Sequence, residues 1–186
     1  LEGGCEGSQV LTIQVCAEVG SGYGFPVAHP ESPHFKEPGA QAAILRAFED
    51  YLREAVKYGR RVTGHNLKFD ARYAAACVNA PWKVDPDAFI GAVGLDTYLA
   101  SWALHGDSAY AGVVADHRLE TLCGKFCAFY SHKDEMKGYK ASRFDLAPLD
   151  GLLRYGVADV DGNLRLALKI DEQYHHVPDL PDYREE

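Results

Sequence analysis

Two short strings place a carboxylate one helical turn from a side chain that can hydrogen-bond. The first is Asn66-Leu67-Lys68-Phe69-Asp70 and the second is Tyr155-Gly156-Val157-Ala158-Asp159. On a helix, residues four apart share a face, so Asn66 goes with Asp70 and Tyr155 with Asp159. Carboxylates hold hard divalent ions such as Mg²⁺ and Mn²⁺, which favour oxygen ligands and keep several waters. Two such ions about 3.5–4 Å apart make a water nucleophilic and stabilise the leaving oxygen of a phosphodiester. The two strings read as half of a site of that kind.

Each string also has a plainer reading in terms of the element that carries it. Val62 to His65 predict a short strand that runs through a polar turn into a helix ending near Val78, with the Asn66 side chain as its cap. An acid in the first turn compensates the helix dipole, so Asp70 reads equally as a surface residue. Around the second string, Leu149, Leu153, Val157, Val160, Leu164 and Leu168 recur at three- and four-residue spacing, which predicts a buried stripe on a helix from Leu149 to Ile170. There Tyr155 is packing or function, Asp159 is a solvated charge or a ligand, and Asp161 is an equal candidate. Gly156 and Gly162 each weaken this helix by ~1 kcal/mol relative to alanine, which points to close packing or a need for room.

In order and spacing the two strings resemble the second and third motifs of the DEDD superfamily of 3′-to-5′ exonucleases, in the form found in proofreading domains of family A DNA polymerases. The pattern N-x-x-[FY]-D is met by Asn66, Phe69 and Asp70, and Y-x-x-x-D by Tyr155 and Asp159. Arg154 stands where the sister subclass carries histidine, so the tyrosine subclass is the match. Leu95–Leu104 and His117–Leu122 are similar to connecting segments, and the likeness runs from about Val10 to about Gln173. It implies that Asp70 and Asp159 are metal ligands for Mg²⁺ or Mn²⁺, two ions when the site is complete. It further implies that Tyr155 orients the attacking water, that Asn66 and Phe69 help bind substrate, and that the substrate is a single-stranded DNA 3′ end, with a DNA polymerase domain or subunit as partner. The same motifs fit a 3′-to-5′ exoribonuclease. An exonuclease-shaped scaffold or single-strand-binding module without catalysis is a third reading.

The fold that the resemblance implies is α/β, a ribonuclease H-like three-layer arrangement with a mixed central sheet flanked by helices. In that family a D-x-E motif on the opening strand supplies two further carboxylates, and no such segment precedes Leu11–Cys16. Residues 1–9, rich in glycine, read as the turn after a missing first strand. Glu2, Glu6 and Glu18 are misplaced as substitutes. The expectation is therefore a truncated chain with impaired activity, a strand supplied from elsewhere, or a remodelled domain. An absent central strand would leave unpaired backbone groups facing a gap.

Composition sets the remaining bounds. At 186 residues and 47% apolar the chain fits one domain, 1–186, with 177–186 as a tail or linker. No apolar run reaches the length of a membrane span and no leader is visible, which predicts an intracellular protein of the cytoplasm or nucleoid. A net charge of −8 opposes binding to long duplexes, whereas a few nucleotides of one strand can be held by stacking and by bound metal. Lys137, Lys140 and Arg143 are candidates to line that path, or a solvated basic loop. Five cysteines at irregular spacing argue against a disulfide framework. Cys123 and Cys127, with His117 and His132 nearby, offer a zinc site of poor spacing, and core packing is the simpler reading. His175-His176 reads as a solvated pair. Elsewhere the pattern predicts a hairpin of Val10–Glu18 with Tyr23–Val27, and a helix whose stripe is Ile44, Ala47, Phe48, Tyr51, Leu52, Ala55 and Val56. It adds a strand near Ala92–Leu95, Asp96 as a helix cap, and a helix over Leu119–Tyr130.

Overall fold

Alternation of apolar and polar residues produces the first element, strand β1 (Thr12–Glu18), and the Gly20 turn, at φ 82°, returns the chain as β2 (Ser21–Pro26). The pair is antiparallel, with Ile13 opposite Phe25 and Val15 opposite Tyr23. Val27 donates to the Leu11 carbonyl at 2.9 Å, so Leu11, Ile13 and Val15 turn their backbone groups toward β2. By the same alternation, Thr12, Gln14 and Cys16 turn theirs to the opposite edge. Pro26 faces Thr12 at a position whose missing N–H breaks no ladder bond.

The computed structural model describes residues 9–76, 81–106, 116–129, 136–139 and 141–174. Residues 1–8 of the proposed opening turn, Cys5 among them, with Cys77, Val78, His132, Lys140, His175-His176 and the 177–186 tail, lie outside the described residues. After the hairpin come α1 (Pro38–Lys57), β3 (Val62–Gly64), α2 (Leu67–Ala76), α3 (Pro86–Ala92), β4 (Val93–Asp96) and α4 (Thr97–His105). They are followed by α5 (Leu119–Cys127), a 3₁₀ turn over Ala141–Leu146, and α6 (Leu149–Tyr174). Strands β3 and β4 run parallel, as the helical connection between them requires.

The molecule is thus mixed α/β. In place of one continuous sheet, the described residues form two separate two-stranded sheets, β1-β2 and β3-β4. Helix α6 packs on β1, β2 and β3, so one element spans both sheets. It sits close to the hairpin because β2 is glycine-rich: a Cβ on Gly22 would lie 2.7 Å from Val157 Cγ1, and one on Gly24 3.0 Å from Leu153. The close packing expected at the two helix glycines is present. A Cβ at Gly156 would come within 2.6 Å of Gln14, and one at Gly162 within 3.1 Å of Phe129.

Three apolar clusters form the core. Leu52, Leu67, Val84 and Phe89 join α1, α2 and α3; Ala100, Leu122, Leu166 and Ile170 join α4, α5 and α6; Met136, Ala147 and Leu152 make a smaller third. The stripes differ from expectation at particular positions. On α6 the buried apolar side chains are Leu152, Ala158, Leu166, Ala167 and Ile170, and Leu168 is exposed. On α1, Leu45, Leu52 and Ala55 are buried while Ala47, Tyr51 and Val56 are exposed.

Tyr51 is exposed because it faces a void. Between the two sheets lies a slot of about 1490 Å³, lined without a break by Gln9–Ala17 on one side of the sequence and Arg60–His65 on the other. Helix residues Leu45, Phe48, Phe89, Tyr155, Gly156 and Asp159 line it too.

Candidate active site

Positioning begins at Asp96, the last residue of β4. Its Oδ1 accepts from the Tyr98 and Asn66 backbone N–H groups, each at 2.9 Å, and its Oδ2 accepts from Leu67 N–H at 2.9 Å. One carboxylate therefore caps two helices, α4 and α2. The cap that the sequence assigned to the Asn66 side chain comes instead from Asp96. Asn66 contributes its backbone, held at φ 62°, and its carbonyl accepts from Phe69 N–H at 2.9 Å. A left-handed conformation is one that asparagine tolerates better than most side chains. The expectation that Asp96 is a helix cap agrees with this geometry.

The turn so made delivers Phe69 and Asp70 to the slot. Both line it, as do Tyr155 and Asp159 from α6; Asn66 does not. Tyr155 donates a hydrogen bond to Asp159, and its phenol is pushed upward by burial, then by the neighbouring Asp159 charge. It stays a neutral hydroxyl across the physiological range. Asp70 is reachable from the slot yet crowded by protein on most sides, and a carboxylate in a concavity is hydrated less well than one on open surface. Burial pushes its carboxyl up to about 6, with the Asp96 charge adding to the rise.

A network missed by sequence reasoning supports the floor of this site. Thr97, fully buried, sits 2.7 Å from Asn163 Oδ1, 3.1 Å from the Gly64 carbonyl and 2.9 Å from His65 Nδ1. It ties the end of β3 to α6. Burial lowers the His65 pKa, which favours the neutral imidazole, and its ring meets Tyr98 edge-on at 5.5 Å. Only the buried-helix position of Asn163, four residues after Asp159, hinted at such a role.

The structure separates the two aspartates that the sequence left equal. Asp161 accepts from Gly20 N–H at 2.7 Å and from Arg165 Nε at 3.1 Å, so it fastens the hairpin turn to α6, whereas Asp159 lines the slot. Arg143 is paired with Asp145 at 2.9 Å, while Lys137 is exposed. The cysteines follow the packing reading. Cys123 Sγ is buried 3.2 Å from the Gly162 carbonyl, and burial pushes that thiol up to about 12. His117 lies 2.8 Å from Ser101 Oγ and 3.2 Å from the Gly106 carbonyl, which occupies both ring nitrogens.

As a donor set, Asp70 and Asp159 are oxygen ligands suited to a hard divalent ion, which is often held by one or two carboxylates plus water and substrate phosphate. Among the described residues no group of three or more His, Cys, Asp or Glu comes together for metal. Nor is any described helix long and apolar enough to cross a membrane. The chain matches no family model, no curated protein and no solved structure.

Proposed function

We propose that the chain is a 3′-to-5′ exonuclease domain of the DEDD tyrosine subclass, ribonuclease H-like in fold, acting on single-stranded DNA ends in proofreading. The observation that carries this reading is that Asp70 and Asp159, far apart in sequence, line one slot, with Tyr155 hydrogen-bonded to Asp159. Asp70 and Asp159 would hold Mg²⁺ or Mn²⁺, which when bound supply charge to activate water and to stabilise the leaving oxygen. The Tyr155 hydroxyl, neutral and polar within the cleft, orients the attacking water. Phe69, 55% exposed and tilted at 40° against Tyr73 with ring centroids 4.5 Å apart, offers an aromatic face to a terminal base. Asn66 shapes the turn that presents both.

Two carboxylates make a single weak metal site, and hydrolysis by the chain alone is expected to be slow. Mn²⁺ titration by calorimetry tests the assignment: binding is expected in the native chain and lost in both Asp70→Asn and Asp159→Asn. Digestion of matched DNA and RNA oligonucleotides assigns the substrate. Any hydrolysis left unchanged by Asp159→Asn would refute the site. A second reading, a scaffold that binds strands without cutting, is favoured by the small number of carboxylates beside Tyr155, Asp70 and Asp159, in the slot lining. It predicts oligonucleotide binding with no Mn²⁺ site.

A further inference from the structure

On the long helices of this acidic chain the cations are engaged. Arg53, Arg154 and Arg165 each hold a carboxylate four residues away, and Arg46 and Lys57 lie over aromatic rings. Helix α2, which carries Phe69 and Asp70, differs: Lys68 and Arg72 are both exposed and have no partner among the described residues. They stand four apart, so two like charges share one stripe and oppose each other. Arg53 with Lys57 and Arg165 with Lys169 have the same spacing, but there every cation has a partner of its own. Lys68 also falls in the first turn, where the helix dipole opposes a positive charge. No contact among the described residues offsets these placements. The stripes of α2 follow in order, because each residue advances the helix by ~100°. Asp70 and Ala74 line the slot; Phe69 and Tyr73 line it too, tilted against each other at 4.5 Å with Phe69 open to solvent; Lys68 and Arg72 come next, outside it.

We propose that the exposed face of α2 is a rail for single-stranded nucleic acid, with bases on the Phe69–Tyr73 stripe and phosphates of the same strand on Lys68 and Arg72. The proposal rests on the reading of the slot as a single-strand site, and it adds the residues that grip the strand where its end approaches Asp70. Each nucleotide of a single strand brings one π face and one anion, which suits an aromatic stripe beside a cationic one. A duplex keeps its bases stacked inside and leaves Phe69 nothing to stack on. An acidic peptide supplies the charge but has no use for the open rings. Lys68 and Arg72 lie ~6 Å apart along the helix axis and so serve two phosphates of one strand. Two phosphates are few, and binding by a chain of net charge −8 is therefore weak and sensitive to salt. The rail stands in place of the path expected at residues 137–143, where Arg143 is taken by Asp145.

The test is fluorescence anisotropy of a labelled oligothymidylate of ~12 nucleotides, titrated with the whole chain in EDTA over a series of salt concentrations. For a single strand, log K falls against log salt with a slope of about −0.7 for each phosphate neutralised. The native chain is expected to show a slope of about −1.4 or steeper, with Lys68→Ala and Arg72→Ala each removing about 0.7 of it and Lys68→Arg removing none. Tyr73→Leu is expected to weaken binding about tenfold and leave the slope as it was. Lys36→Ala and Lys83→Ala, which remove exposed cations elsewhere, are expected to change neither quantity. Both rail cations are exposed and unpaired, so their removal should not lower Tm, and lost binding is not mistaken for unfolding. A native chain that leaves the oligonucleotide unbound, slopes unmoved in Lys68→Ala and Arg72→Ala, a slope lost in Lys68→Arg, or displacement of the strand by polyglutamate at equal charge would overturn the proposal. EDTA keeps this outcome separate from the nuclease test. Hydrolysis that depends on Asp159 together with unmoved slopes sinks the rail alone, whereas the expected slopes with no hydrolysis under Mn²⁺ sink the exonuclease and leave the rail.

Discussion

Asp70 is the residue whose chemistry depends most on its surroundings. Its carboxyl is raised from 3.8 to about 6, so between those values the native state holds a proton that the unfolded chain has released. Stability contributed by that proton is fully present below pH 4, falls as pH rises, and is gone above about pH 6. Asp70→Asn is therefore expected to raise Tm at pH 8 relative to the native chain, with the difference vanishing at pH 4. Differential scanning calorimetry at the two pH values checks it. A divalent ion must displace the same proton, so Mn²⁺ affinity should climb between pH 5 and pH 7 and then level off, as isothermal titration across that range would read. The sequence identified the two aspartates by spacing alone. It could not separate Asp159 from Asp161, because that distinction rests on Gly20, whose N–H is brought to Asp161 only by the packing of the hairpin on α6.

At the level of elements, Asp96 joins the starts of α2 and α4 through one side chain. A capping carboxylate contributes ~1 kcal/mol per helix end, so Asp96→Ala should cost about 2–3 kcal/mol in urea unfolding, more than an ordinary cap. Helix α6 approaches the hairpin through Gly22, where an added methyl meets the stiff Val157 side chain at 2.7 Å. Gly22→Ala should destabilise by about 1–3 kcal/mol by overpacking, and Gly22→Ala with Val157→Ala together should recover part of that loss. Element types were readable from periodicity: β1, β3, β4 and α6 begin within two residues of their sequence expectation. The buried face of α1 was not, since Tyr51 and Val56 fit a helical stripe equally well and only the slot determines that Tyr51 stays uncovered. The Asn66 cap was misassigned for a similar reason. Asp96 is distant in the chain, and no local pattern announces that it reaches the α2 start first.

Across the whole molecule, the two sheets are joined by α6, which packs on β1, β2 and β3 and takes the Thr97–Asn163 contact. The slot's apolar lining, from both β1 and the α1–α3 group, appears only when the helices are assembled. The two larger core clusters, one joining α1–α3 and the other α4–α6, form two halves that differ in what holds them. Around α1, the Glu49 carboxylate gathers Arg53, Trp82 and the Asp85 backbone; around α4, Ser101 and Trp102 gather His117.

That last arrangement has an optical consequence. The chain has two tryptophans, one in each half. Trp82 lies beneath the Arg46 guanidinium at 4.2 Å, and Trp102 stacks on the His117 imidazole at 3.9 Å. Each indole thus has surroundings of its own, and replacing one by phenylalanine leaves an intrinsic fluorophore that reports a single half. If the halves loosen together, the two emission traces superimpose during denaturation. If one half yields first, the traces part.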